Sequence, residues 1–232
     1  MILTKKRNFE AFIFVVPALL ILGTFVYFPL IKNIIYSFQS FTLSSTTREW
    51  VGLANYKQLF SDKIILACLK NNILYAVISI IVQVGFGLVL AAVLEDAVFQ
   101  KAAPFFRSVY FIPTVVSMTV VCLLFKFVYN PQMGLLNSFL QAVGLDNLTK
   151  IWLGSKKTAM YAVIAVSQWQ STGYVTMLFI VAIQKIPKDL YEAAEVDGAG
   201  KIKKFFYITV PQVKQMFFVT MILTVVGAFT VF

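Results

Sequence analysis

The chain contains no histidine and, in 232 residues, two cysteines, Cys68 and Cys122. They lie in or beside different apolar runs, without CxxC spacing. A disulfide framework and a cysteine or histidine metal site are therefore both excluded, and the two thiols read as small apolar fillers. Charge is also scarce, at 13% of residues. No Asp, Glu, Lys or Arg falls in the middle of any long apolar run, which argues against a carrier driven by protons or sodium, since such carriers place acids or histidines at membrane depth. No GxxxxGK[ST] loop is present to hold nucleotide phosphates. With no histidine and with carboxylates scattered in loops, the nucleophile, base and metal sets of an enzyme are missing as well.

What is abundant is apolar surface, 59% of residues, with 16% aromatic. Uncharged stretches run from Ala11 to Ile31, Ile73 to Leu94, Ser108 to Phe125, Thr158 to Gln184 and Gln215 to Phe232. About 20 helical residues at ~1.5 Å each cross a ~30 Å hydrocarbon core, so these are five expected transmembrane helices of an all-α, multi-pass membrane protein. The third can lengthen through Lys126, whose stem can snorkel, to Tyr129. The first is too long for a cleaved leader and has no small-residue cleavage site after Pro29 and Leu30, so it reads as a retained span.

The net charge of +10 does not imply nucleic acid, because the 20 basic residues are spread over every loop. Their asymmetry instead sets orientation. With residues 1–10 cytoplasmic, eleven basic residues lie inside, among them Lys5, Lys6, Arg7, Lys101, Arg107 and Lys201, against eight in the opposite loops. The inside segments are also shorter, as the positive-inside rule requires. External loops then cover 32–70 and 129–157 between helices one to four (11–183), and a cytoplasmic segment, 184–211, precedes the fifth helix, 212–232. In the first external loop Trp50, Tyr56 and Phe60 suit the headgroup level. In the second, Leu135, Leu136, Phe139, Leu140 and Val143 are spaced as a short amphipathic helix closed by Gly144.

The cytoplasmic segment carries the clearest motif, Tyr191-Glu192-Ala193-Ala194-Glu195-Val196-Asp197-Gly198-Ala199-Gly200, then Lys201, and further on Ile208-Thr209-Val210-Pro211. Pro187 fits a helix start, and Asp189 and Glu192 complement its positive end. Gly198 and Gly200 break that helix. The second arm places Lys201, Lys203 and Lys204 toward water and Ile202, Phe205, Phe206 and Ile208 along the membrane, with Pro211 opening the fifth span. Small Ala193 and Ala194 allow a partner to approach closely, and Glu192, Glu195 and Asp197 offer it charge.

Glu-Ala-Ala, three residues, Gly, nine residues, Ile, one residue, an aliphatic and Pro resembles the EAA signature of permease subunits of binding-protein-dependent ABC importers. The resemblance is to the carbohydrate branch that includes maltose and glycerol-3-phosphate permeases, with Val210 where that family usually has Leu. Trp50-Val51-Gly52-Leu53-Ala54-Asn55-Tyr56, Leu69-Lys70-Asn71-Asn72, Asn130-Pro131-Gln132-Met133-Gly134-Leu135-Leu136-Asn137 and Gln184-Lys185-Ile186-Pro187 are similar to its landmarks, in its order. The resemblance implies a multi-pass subunit of a prokaryotic plasma (inner) membrane, paired with a second permease subunit. It further implies an extracytoplasmic solute-binding protein as donor and an ABC ATPase dimer as motor, with ATP and Mg in that partner and no cofactor in this chain. The coupling residues it implies are Glu192, Ala193, Ala194, Asp197 and Gly198, with Glu192 facing a basic ATPase residue. Family members have a further C-terminal span after a Gly-rich external loop, so the resemblance implies that this sequence is truncated or a shortened form. Permeation of another small solute, or a non-transporting assembly role, are the alternatives.

Sugars present hydroxyls and apolar C–H faces, so a pathway for them needs amides, hydroxyls and an aromatic plate. Gln168, Trp169 and Thr172 in the fourth run offer these, with Thr176 on the same face, and Gln83 and Ser117 are further candidates. Ser79, Gln83, Gly87 and Ala91 recur every four residues, the spacing of close helix packing.

Overall fold

The computed structural model describes residues 2–41, 48–99 and 101–230, with backbone alone for 2–11 and 97. Expectations that touch 42–47 in the first external loop, or the run's end at Phe232, lie outside the described residues. The chain forms two compact units, Met1–Ala67 and Cys68–Phe232.

In the first unit α1 (Ile2–Leu22), a π-helical turn (Gly23–Tyr27) and α2 (Phe28–Tyr36) form one apolar rod, of which Phe12–Tyr36 is long enough to cross a membrane. Pro29 follows the π turn, in the first turn of α2, where its missing N–H interrupts the helical ladder. A minimal antiparallel pair follows, β1 (Gln39–Ser40) and β2 (Glu49–Trp50), with Gln39 opposite Trp50. Phe38 stacks on Trp50 at 5.8 Å between ring centroids. From α3 (Ala54–Ser61), the Asn55 side-chain amide donates to the carbonyls of Ser37 at 2.9 Å and Gln39 at 3.0 Å. The aromatic and amide residues of the Trp50 to Tyr56 stretch thus fasten the strands to α3.

A long rod carries the chain onward: α4 (Lys63–Ser79), a π turn (Ile80–Phe86) and α5 (Gly87–Glu95), together 33 residues. It starts earlier than the apolar run at Ile73 because nothing between Lys63 and Asn72 breaks a helix. Its Ser79, Gln83, Gly87 and Ala91 are buried, as their spacing predicts. A β-carbon on Gly87 would lie 3.4 Å from the hydroxyl of Thr176, so the rod meets α9 (Ala159–Ile183) closely there.

The central helix of this unit is α9. At ~1.5 Å per residue its 25 residues reach about 37 Å, yet the polar stretch Gln168–Thr172 keeps it out of the strongly apolar class. Within that stretch Gln168 and Thr172 are buried against neighbouring helices. Among the described residues two helices are long and apolar enough to cross a membrane, or four if each of two bent pairs is one span.

The first bent pair corrects the expectation of a continuous third span. α6 (Ala103–Val115) and α7 (Met118–Val128) meet at 100°. Pro113 removes an N–H near the end of α6. Val116 and Ser117 are extended, and the Ser117 hydroxyl caps α7 by accepting from the Val120 N–H at 3.4 Å. The break leaves backbone carbonyls unsatisfied, and Gln170 of α9 answers them: its side-chain amide donates to the Val116 carbonyl at 3.0 Å, while Thr114 donates to the Gln170 carbonyl at 2.8 Å. Close by, Gly173 lets α9 rest on the backbone of α6, since a β-carbon there would sit 1.8 Å from the Tyr110 carbonyl oxygen.

After α7, Asn130 accepts from the N–H groups of Gln132 and Met133, and Asn137 of α8 (Leu135–Ala142) ties Pro131, Lys150 and Trp152 together. α8 ends at Gly144 with φ +75°, the glycine stop its sequence predicts. The apolar core lies between the rod and α9, around Val84, Leu88, Phe179 and Ile180. Cys68 and Cys122 are exposed rather than core fillers, since each lies on an outward helix face.

Candidate functional site

A cavity of about 350 Å³ opens in the second unit between the α4–α5 rod, α9 and the final helix, α13 (Lys214–Phe229). α9 turns one face toward it, Ser167, Gln170, Ser171 and Tyr174, at the three- and four-residue spacing of a helix. The rod adds Tyr75 and Gln83, and α13 adds Thr220 and Thr224. Tyr75 bonds to Ser167, fixing one phenol at the wall. Hydroxyls, amides and two phenol rings share the surface with Met118, Val175, Leu178 and Leu223, and no charged side chain lines it. Such a wall can exchange hydrogen bonds with a polyhydroxylated neutral solute and present ring faces to its C–H groups.

Of the residues singled out in the sequence, Gln83 lines this cavity. Gln168 and Thr172 lie on the next face of α9, buried against the rod: the Gln168 amide donates to Ser79 Oγ at 3.0 Å, and Thr172 donates to the Gln168 carbonyl at 2.6 Å. Trp169 packs edge-on against Phe125 at 5.3 Å, away from the cavity wall. Ser117 is occupied as the α7 cap. Ser167, Gln170, Ser171 and Tyr174 are not among those candidates, although Ser167 to Thr172 is polar apart from Trp169. Which third of it faces the cavity follows from where Gly173 seats α9 on α6, and no feature of α9 alone encodes that.

The second feature is the helix-turn-helix. Pro187 begins α10 (Lys188–Val196). Gly198 ends it at φ +76°, with the Gly198 N–H donating to Glu195 at 3.0 Å and the Ala199 N–H to Ala194 at 2.8 Å. That double bond pattern around a left-handed glycine is the Schellman stop. Gly200 is extended and leads into α11 (Lys201–Lys204), a π turn (Phe205–Thr209) and α12 (Val210–Gln212). The last helix begins at Lys214 after a 71° bend, not at Pro211, because the chain turns at Val213. Glu192, Ala193, Asp197 and Gly198 are exposed and Ala194 is half-buried, so the signature residues form an accessible face.

The lysines of the second arm do not all point to water. Lys204 pairs with Glu195, and Lys201 Nζ lies 2.9 Å from Asp96 Oδ1. The apolar Ile202 and Phe206, with Tyr207, are instead exposed. Glu195 draws Lys204 inward, whereas Lys201 and Lys203 stay exposed, as expected of them. The Val98 N–H and then the Lys201 ammonium hold the Asp96 carboxyl below its ordinary pKa.

Residues 64–232 match the family described as the inner membrane component of binding-protein-dependent transport systems. The chain belongs to that family. It is 58% identical, over 99% of its length and 78% of the relative's, to the probable ABC transporter permease protein YurN of Bacillus subtilis (strain 168). It is 35% identical to the diacetylchitobiose uptake system permease protein NgcF of Streptomyces coelicolor, over 89% of this chain and 60% of that one. Its fold is similar to a chain of a bacterial ABC transporter that imports the acidic polysaccharide alginate, at a TM-score of 0.81 and 22% identity, covering 97% of this chain and 75% of that one. As a member of this permease family it carries the signature glycine where the backbone demands one, at the left-handed turn after α10.

Proposed function

We propose that the chain is the permease subunit of an ABC importer for a carbohydrate, a sugar or oligosaccharide, and that it works by alternating access. The observation that carries the reading is the uncharged cavity lined by Gln83, Gln170, Ser171, Thr220 and Tyr174, on a helix, α9, that runs directly into an exposed helix-turn-helix. Its wall is matched to hydroxyl-rich solutes, and a relative named for diacetylchitobiose uptake supports that substrate class.

In this reading five spans traverse a prokaryotic plasma membrane with the N-terminus in the cytoplasm, and α10 with its Schellman turn faces an ABC ATPase dimer there. Glu192 meets a basic residue of the ATPase, Ala193 and Ala194 let it approach, and Asp197 and Gly198 shape the turn. ATP and Mg act in that partner. A second permease subunit completes the pathway, lipid surrounds it, and an extracytoplasmic solute-binding protein delivers the solute. Closure of the ATPases shifts the helix-turn-helix as a unit, and α9, continuous with it through Pro187, carries the displacement to the cavity wall.

The test is a purified complex of the permeases and ATPase in proteoliposomes with the binding protein. ATP-dependent uptake of labelled oligosaccharide is expected, and Glu192→Lys should leave membrane insertion intact while abolishing solute-stimulated ATP turnover. Turnover unchanged by that charge reversal refutes the coupling assignment, and uptake confined to non-carbohydrate solutes refutes the substrate class.

A further inference from the structure

Two adjacent carboxylates at the end of α5 reach the start of the helix-turn-helix segment and the start of its second arm. Glu95, largely buried, accepts from the side-chain amide of Gln184 at 3.2 Å and 3.3 Å and pairs with Arg107 of α6. Gln184 caps the C-terminus of α9, ahead of the Lys185-Ile186-Pro187 link into α10. Asp96 accepts from Lys201, the first residue of α11, at 2.9 Å, and from the Val98 N–H at 3.0 Å. The start of the segment and the start of its second arm are thus gripped by neighbouring side chains, about ninety and one hundred residues distant in sequence.

Apolar packing joins the same parts, through Leu94, Ile183, Ile186 and Val213. Burial of that kind is non-directional and allows one element to slide past another. Charge-assisted hydrogen bonds are directional and short, so they fix register. The body they register is the 33-residue rod that ends at Glu95. Twelve residues up that rod, about 18 Å along a helix, Gln83 stands in the cavity wall within the π turn Ile80–Phe86. π turns of this sort break the regular ladder of a helix and recur at functional sites.

We propose that Glu95 and Asp96 are positioning residues that clamp the helix-turn-helix to the α4–α5 rod, so that motion of the segment reaches the cavity through the rod and its π turn as well as through α9. The inference rests on the importer reading. It adds a second mechanical route, and it makes the short α5–α6 connector part of the coupling device.

The experiment uses the complete complex in proteoliposomes, reading solute molecules imported per ATP hydrolysed, and hydrogen exchange over residues 184–204. Asp96→Lys and Lys201→Asp should each lower the ratio about fivefold, the scale of a lost exposed ion pair. The double exchange should restore it to within about twofold, which a general structural defect would not. Asp96→Asn, close in shape, should speed exchange across the segment and lower the ratio by a smaller factor while the ATPase still co-purifies. A single reversal that keeps the unmutated ratio, or a double exchange as poor as the single ones, overturns the clamp. If the unmutated complex imports no carbohydrate, the importer reading fails and the clamp is judged by exchange alone: faster in Asp96→Asn supports it, unchanged overturns it.

Discussion

The Tyr191 hydroxyl lies 2.9 Å from the hydroxyl of Thr209, which joins the two arms of the helix-turn-helix across its turn. Thr209 is buried and sits in the π turn that precedes α12. With Lys204 paired to Glu195, the arms are tied to each other at two points across the Gly198 turn. Tyr191→Phe keeps the ring and removes the bond, a loss of about 1 kcal/mol. We expect intact assembly with the ATPase and a few-fold fall in solute-stimulated ATP turnover; full turnover would show that the arms need no such tie.

The two glycines of the turn should differ. Gly198 adopts φ +76°, so Gly198→Ala carries a left-handed penalty of about 1–2 kcal/mol at the Schellman stop. Gly200 is extended, with open space around its β-carbon position, so Gly200→Ala should be tolerated. Co-purification of the ATPase with each variant checks this, and equal loss in both would move the cause from backbone conformation to the partner surface.

Gly173→Ala forces α9 off the α6 backbone, because its β-carbon would fall 1.8 Å from the Tyr110 oxygen. Overpacking of this kind costs about 1–3 kcal/mol. The solubilised protein should melt at a visibly lower temperature, whereas Gly227→Ala, with nothing near its β-carbon position, should match the unmutated chain. An unchanged melting temperature for Gly173→Ala would contradict the α6–α9 contact.

The cavity and the packing faces of α9 can be separated by substitution. Gln83→Leu should weaken apparent solute affinity about tenfold with little change in melting, as a lost hydrogen bond to a solute does. Trp169→Ala should lower the melting temperature by removing the Phe125 contact and leave that affinity unchanged. Reversed outcomes would return Trp169 to the pathway and assign Gln83 to packing.

Much of the scaffold was legible because its signals are local. The four-residue repeat from Ser79 to Ala91 predicts one buried stripe, and it is buried. Leu135 to Val143 ends at Gly144 for the reason any helix ends at a left-handed glycine. The break inside the third apolar run was less visible. Pro113 signals it weakly, since proline is tolerated where other groups satisfy the freed carbonyls. At the helix end it is the Val116 carbonyl that is met, by Gln170 on another helix. Lys204 departs from its expected place toward water because its partner, Glu195, is brought to it by folding, while Lys201 reaches Asp96 and remains exposed.

What the sequence by itself determined is the class of molecule: apolar runs of span length, no intramembrane acid, and a glycine-broken segment whose spacing belongs to one permease family. Those properties reside in composition and in short-range backbone preference, which need no tertiary partner. Only the tertiary structure decided which face of α9 lines the cavity and which charges hold the helix-turn-helix. Both depend on how helices far apart in the chain are rotated against each other, and a single β-carbon at Gly173 would change that rotation.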